Sequence, residues 1–503
     1  MKKMLLVALV LMAFMLASLA GAQTPVTIVV AQGADITSID PHTQNDQPTS
    51  RVRAQIYDTL IRVDEKLQLQ PSLATSWKQI DSLTWEFKLR ANVKFHNGET
   101  LAASDVKFSL ERLANPATKA AGAFIVGFLD KVEVIDNLTF RIKSKYPFAP
   151  LLSHLGHTVC SILNEKAVKA AGPNYGTQTA VGTGPFKFVS WSVGSHVTLD
   201  RFDEHWRGPA KVGRVMFRAI PEGTVRAIEL EAGGVDIVYA VEPIDEARLS
   251  KNKSILLPKT PTMSTSYIGF NCNKAPFNNV LVRQAINHAI NVDAVVKTVY
   301  TGQATKANGP ISSLVWGYNP NLKGYPYNPT MAKDLLTKAG YANGFKTTIW
   351  TNDNPLRMQI AEMVQSDLAK IGVQVSIQVL PWATYLEDTA AGKHDMFILG
   401  WVSVTGDADY GLYALFHSSM HGNAGNRTFY TNKKVDELLN LGRTSGDPQK
   451  RLTAYYEAQQ IIADDAPWLF LIVTEEVTGM RNNISGFVPH PAGHHWLYPV
   501  TKN

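Results

Sequence analysis

Residues 346 to 402 carry the pattern that most restricts the fold. "KTTIWT" is a short strand, and "MQIAEMVQSDLAKIG" then sets Ile360, Val364, Leu368 and Ile371 on one helical face, closing at Gly372. "VQVSIQVL" alternates Val373, Val375, Ile377 and Val379. A second helix follows through "ATYLEDTAAG", and "DMFILGWV" is a third strand. This β-α-β-α-β order predicts parallel strands joined by right-handed crossovers. Ligands of open parallel sheets bind beyond the carboxyl ends of the strands. The loops "TNDNPLR" (351 to 357) and "GWVSVTGDADYGLY" (400 to 413) are therefore expected on one edge.

The preceding half reads differently. Trp85, Phe87 and Leu89 share a strand face, Asn97-Gly98 is a tight-turn pair, and Val106, Leu110 and Leu113 mark a helix behind a Ser104 N-cap. "KVEVIDNLTFRIK" forms a hairpin turning at Asp136-Asn137, and "VGRVMFRAI" alternates Val215, Phe217 and Ala219. Antiparallel strands mix with helices there. At 503 residues the chain exceeds what one hydrophobic core serves, so at least two lobes are expected.

The N-terminus, "MKKMLLVALVLMAFMLASLAGAQT", reads as an export signal: Lys2 and Lys3, an apolar run to about Leu19, and Ala20-Gly21-Ala22 before a cut ahead of Gln23. The run is short for a spanning helix and no Cys follows the cut for lipid attachment, so a soluble periplasmic product is expected. Removing Lys2 and Lys3 lowers the net charge from +6 to +4, with no Lys/Arg block, which excludes a nucleic-acid partner. Cys160 and Cys272, the two cysteines, either pair or stay as free thiols.

No serine-hydrolase elbow, zinc-protease or nucleotide-loop motif occurs. "GTGPFKF" (182 to 188) is read as a structural turn into a strand, and Asp407 to Asp409 as too short a match for a metal-dependent transferase. His417 and His421, and the group His490, His494 and His495, are read as solvated or capping, not metal ligands. No metal and no cofactor are expected. What remains is a binding loop. A zwitterion needs a carboxylate for its ammonium and an Arg or helix N-terminus for its carboxylate. Asp407 and Asp409 suit the first role and Arg357, opening a helix over 355–371, the second; Trp401, Trp382 and Tyr410 supply apolar walls. Asp409 can instead N-cap "YGLYALF", whereas Asp407 is assigned to the cleft.

Several stretches together, in order along the chain, resemble the extracytoplasmic solute-binding proteins of peptide and nickel ABC importers (family 5). They are "SIDPH", "QPSLATSW", "TWEFKLRANVKFHNGETLAASDVKFSLERL", "VGTGPFKFVSW", "FNNVLVRQAINHAIN", "YNPTMAKDLLTKAGY" and "YTNKKVDELL". "AGYANGFKTTIWTNDN", "GWVSVTGDADYGLYALF" and "RTFYTNKKVDELL" are most similar to its glutathione-binding branch. The dipeptide-binding branch places an Asp three residues after its "GW", where Val404 stands here.

The resemblance implies an α/β two-lobed fold of Venus-flytrap type with mixed sheets and two hinge crossover strands, near "TSYIGFNCN" and "FLIVTEEV". After a signal peptide of residues 1–22, lobe I is expected over 23–266 with 476–503 returning to it, and lobe II over 267–475. Tyr267 and Asn271 then border the cleft, or serve as plain strand residues, and Thr405 joins the ligand loop. The implied function is a monomeric, non-enzymatic periplasmic receptor that delivers a small peptide-like solute, such as glutathione or a di- or oligopeptide, to a membrane permease. The alternatives are the same receptor carrying a metal chelate or haem through His417 or His421, and an exported peptide hydrolase.

Overall fold

The computed structural model describes residues 25–302, 304–422 and 425–503, so the expected signal segment lies outside the described residues. The β-α-β-α-β unit forms as its periodicity requires. Lys346–Asn352 lies between Gln374–Leu380 and Met396–Val402 and is parallel to both, with Ile349 opposite Ile377 on one side and Met396 on the other. The helices Pro355–Ala369 and Trp382–Ala390 make the crossovers. Asn354 caps the first through its Oδ1, which accepts from the Arg357 N–H, and Gly372, at φ +86°, turns the chain into the next strand. Ile360, Val364 and Leu368 pack beneath the sheet. On its outer flank, Val379 of the Gln374–Leu380 edge strand remains 45% exposed.

Three antiparallel partners extend this unit to a six-stranded sheet in the order Thr305–Lys306, Trp468–Val477, Lys259–Phe270, Met396–Val402, Lys346–Asn352, Gln374–Leu380. The remaining strands build a separate framework. A seven-stranded mixed sheet centres on Thr27–Gln32, parallel to Arg214–Ala219 and Ile237–Val238. A four-stranded antiparallel sheet has the order Ala74–Asp81, Thr84–Leu89, Thr139–Ser144, Leu129–Val134, with Phe87 stacked on Phe140 at 5.3 Å. The hairpin turns at Asp136-Asn137 as expected. The helix after it in space, Ala103–Ala114, buries Val106, Leu110 and Leu113 but starts before Ser104: the Asp105 carboxylate accepts from the Ala102 N–H at 3.0 Å, so the cap is made from inside the first turn.

"GTGPFKF" is a structural turn. The Gly184 N–H donates to the Ile56 carbonyl at 2.9 Å, and a Cβ on Gly182 would stand 2.1 Å from that same oxygen. Close backbone approach thus requires glycine before the strand Phe186–Ser192.

The chain leaves the seven-stranded sheet after Ile255–Leu256 and enters the six-stranded one at Lys259, then returns between Val477 and Gly479. The Thr478 N–H donates to the Pro258 carbonyl at 3.0 Å, clipping the two passages together. The first passage precedes the expected "TSYIGFNCN". That stretch is the second half of a 12-residue strand, Lys259–Phe270, and the residues just after it; the strand's first residues, Lys259 to Thr262, are mostly polar, include Pro261 and end at a register shift, so no alternation announces them. Cys160 and Cys272 are both free thiols. Among the described residues no helix is long and apolar enough to cross a membrane.

Candidate functional site

A cavity of about 420 Å³ lies between the two frameworks, within the range of ~300–1,000 Å³ common for small-molecule sites. Asn352 and Arg357 after one parallel strand, and Gly400, Trp401 and Val402 at the end of the other, line it together. The two loops do open on one edge, at the carboxyl ends of the strands, because crossovers that leave parallel strands in the same sense stack those ends side by side. Asn45, Arg51, Tyr239 and Glu242 face them from the seven-stranded framework, while Ser264, Ser266 and Glu476 come from the crossing strands.

Of the residues singled out in the sequence, Trp401, Trp382, Tyr410 and Arg357 line this cavity. Trp401 packs 5.0 Å from Tyr410, and Tyr410 stacks on Phe124 at 5.9 Å. The Tyr410 oxygen accepts from Asn45 Nδ2 at 3.3 Å and lies 3.1 Å from His157 Nε2. His157 Nδ1 accepts from the Val159 N–H, so Nε2 carries the imidazole proton and donates to Tyr410. Burial holds His157 neutral, its pKa pulled down to about 3, and pushes the Tyr410 phenol above its ordinary value.

Arg357 donates from Nη1 to Asn352 Oδ1 at 2.8 Å, and its guanidinium carbon stands 5.7 Å from the centre of the Trp382 ring. Opposite, Arg51 donates to Glu476 at 2.8 Å and covers the Tyr239 ring at 4.7 Å, while His495 Nε2 lies 2.9 Å from the other Glu476 oxygen. Burial raises the Glu476 carboxyl, but the Arg51 and His495 charges outweigh it and hold the pKa at about 2.

The two aspartates are placed differently from the expectation. Asp407, not Asp409, is the N-cap of the helix Ala408–Phe416: its Oδ1 accepts from the Asp409 N–H at 2.9 Å, and both of its oxygens lie 2.8 Å from Arg451 Nη2. Asp407 is not among the residues that line the cavity. Asp409 is fully buried and accepts from Arg443 Nε and Nη2 at 3.2 and 3.0 Å, with His154 Nε2 at 3.2 Å. Thr405 is buried in the same turn, its Oγ1 3.4 Å from the Asp407 N–H. The physical reason is that the helix begins two residues earlier than its apolar run, and the guanidiniums that claim both carboxylates stand 34 and 44 residues away in sequence. Tyr267 is a strand residue and Asn271 follows the strand's end, and neither lines the cavity. Tyr267 stacks on Trp468 at 3.4 Å, and Asn271 Nδ2 donates to the Gly392 and His394 carbonyls.

His417 is a capping residue, its Nδ1 accepting from the Ser419 N–H, and His421 Nε2 meets the Tyr430 carbonyl at 2.9 Å. His490 and His495 are buried, contrary to a solvated tail, because Gly493 and Ala492 fold back onto Arg51 and Gln47. Among the described residues no group of three His, Cys, Asp or Glu side chains is placed to hold a metal ion. Sequence reading missed Asn45, Arg51, His157, Arg427 and Glu476. Only Arg51 left a signal, as a charge beside Val52 and Ile56 on a helix, Gln47–Ile56, whose arginines are buried. Val404, in place of the dipeptide branch's Asp, lines the cavity as a buried apolar residue.

The sequence model for bacterial extracellular solute-binding proteins, family 5, matches residues 68–423. The glutathione-binding protein GsiB of Pectobacterium atrosepticum is 34% identical over 474 residues, 92% of this chain and 91% of the relative. Among solved structures, the periplasmic binding protein DppA from Helicobacter pylori in complex with the peptide STSA aligns with a TM-score of 0.89 at 33% identity, covering 95% of this chain and 98% of that one. The dipeptide-binding protein from a Pseudoalteromonas species, in complex with Met-Leu, gives 0.90 at 25% identity, covering 95% and 100%.

Proposed function

The chain belongs to the family 5 bacterial extracellular solute-binding proteins, and from that premise we propose that it is the periplasmic receptor of an ABC importer. It captures glutathione or a short peptide between its two lobes and delivers it to a membrane permease. It works as a monomer released by signal cleavage before Gln23, and it catalyses nothing. The observation that carries this reading is the cavity itself: aromatic walls from Trp401, Trp382 and Tyr410 meet polar groups from the other framework across a gap crossed by two strands.

Contacts made by both lobes exist only when they are closed over ligand, so binding shifts an open-closed equilibrium by the difference in affinity between the two states. Tyr410, bonded to Asn45 and His157 of the opposite lobe, stands where the two walls meet. Native mass spectrometry of the purified protein should find a co-purified peptide-sized ligand. A ligand at 100 times its Kd should add about 2.7 kcal/mol of stability in a thermal-shift panel. Stabilisation by sugars or metal chelates with no response to any peptide or to glutathione would refute the cargo.

A further inference from the structure

The second lobe's wall of the cavity, around Arg357, Trp382, Trp401 and Arg427, presents N–H donors and, among the described residues, no carboxylate. Arg427 is only 6% exposed, yet among the described residues it has no carboxylate within ion-pair distance. Its Nε donates to Thr389 Oγ1 at 3.1 Å and one Nη2 proton goes to the Leu386 carbonyl at 3.4 Å, leaving three of the five guanidinium N–H groups unmatched. Burial draws its pKa below the ordinary value, with only the phenols of Tyr267 and Tyr385 nearby. Arg357, on the same wall, has a neutral oxygen and a ring for partners. The indole N–H groups of Trp382 and Trp401 are buried and also lack an acceptor.

The cavity's acids lie elsewhere, on the other lobe and the crossing strands, and most are committed. Asp46 caps a helix, Glu242 faces Arg226 at 3.8 Å, Glu246 pairs with Lys259, and Glu476 with Arg51. A buried guanidinium without a counter-charge costs several kcal/mol; Arg427 is one, and the half-buried Arg357, also without a carboxylate among the described residues, borders the same cavity. The two guanidiniums are anchored at different turns of one helix, a spacing that suits two anions. Arg357 lies against Trp382, at the start of the helix Trp382–Ala390, whereas Arg427 bonds to Leu386 and Thr389. At ~1.5 Å of rise per residue those points are about 6–10 Å apart.

Resting on the receptor reading above, we infer that the ligand is a short peptide with two carboxylates, one held by Arg357 and the other by Arg427. A γ-glutamyl peptide and an α-peptide with an acidic side chain share this chemistry. Neutral dipeptides do not.

The test is calorimetric titration of the purified full-length mature protein, stripped of co-purified ligand by unfolding and refolding. The probes are glutathione, glutathione monoethyl ester, Ala-Glu and Ala-Ala. Glutathione or Ala-Glu should bind at least about 10-fold more tightly than Ala-Ala, and the monoester should lose a similar factor against glutathione, the loss of one charged hydrogen-bonded contact. Which of the two diacids binds more tightly identifies the source of the second carboxylate. Arg427→Gln should reduce the diacid's affinity about 10-fold or more and narrow its advantage over Ala-Ala, with Arg427→Lys between. Should Arg427→Gln fail to fold, the ester comparison on unaltered protein decides. Equal binding of Ala-Ala and the diacids would overturn the two-carboxylate inference while leaving a peptide receptor intact. Silence from all four probes would instead overturn the peptide reading beneath it.

Discussion

Replacing Asp409 with Ala should destabilise the ligand-free protein by about 3–5 kcal/mol, several times the ~1 kcal/mol that loss of a helix cap would cost. Asp409 is fully buried, and it meets Arg443 through two N–H groups at 3.2 and 3.0 Å and His154 at 3.2 Å. Removing it leaves the Arg443 guanidinium, 5% exposed and 3.4 Å from the Tyr413 ring centre, with no anion. If the roughly 220 residues between the two passages unfold as one unit, the entropy of unfolding is about 0.46 kcal/mol per degree, so Tm should fall by about 7–11 °C. Adding Arg443→Met should restore most of the loss, since removing both charges of a buried pair is far cheaper than removing one. Urea unfolding followed by tryptophan fluorescence, with m unchanged across the cycle, measures the coupling, expected above about 2 kcal/mol. The pH dependence gives an independent sign. Burial raises the Asp409 carboxyl, but Arg443 and His154 outweigh it and set the pKa at about 2. Its contribution is therefore present above the unfolded value of ~4 and disappears as pH falls towards 2, a slope the Ala variant should lack. A loss near 1 kcal/mol for Asp409→Ala, with the double variant no better than the sum, would refute the buried-pair assignment.

Asp407→Ala should cost about 2–4 kcal/mol, from the lost cap and an orphaned Arg451, yet leave ligand affinity within about 2-fold by calorimetry. Tyr410→Phe, which removes the oxygen that accepts from Asn45 and His157, should weaken ligand about 2–12-fold and lower ligand-free stability by about 1–3 kcal/mol in thermal melting; unchanged affinity would mean the hydroxyl takes no part in ligand binding. Gly182→Ala should destabilise by about 1–3 kcal/mol or abolish folding, measured by thermal melting, because its Cβ would stand 2.1 Å from the Ile56 carbonyl.

Trp401, Trp382, Tyr410 and Arg357 were readable as cleft residues because their places follow from local periodicity. Once Lys346–Asn352 and Met396–Val402 are parallel strands with crossovers between them, the segments after them must share an edge. The charges there were not readable. "GDADYG" offers two carboxylates of equal local chemistry, and their division into a capping ion pair and a buried one depends on Arg451 and Arg443, brought in by later helices. Arg427 sits in a loop without period, and Glu476 is separated from Arg51 by 425 residues.

By itself the sequence determined the parallel unit, the edge on which its loops open, the mixed antiparallel half and the family resemblance, all set by short-range patterning of apolar residues and turns. Only the tertiary structure decided where the chain crosses between sheets, which aspartate caps and which is buried, and which arginines border the cavity without a carboxylate. Charges are matched through space and not along the chain, so a carboxylate's role is fixed by whichever guanidinium the fold delivers to it.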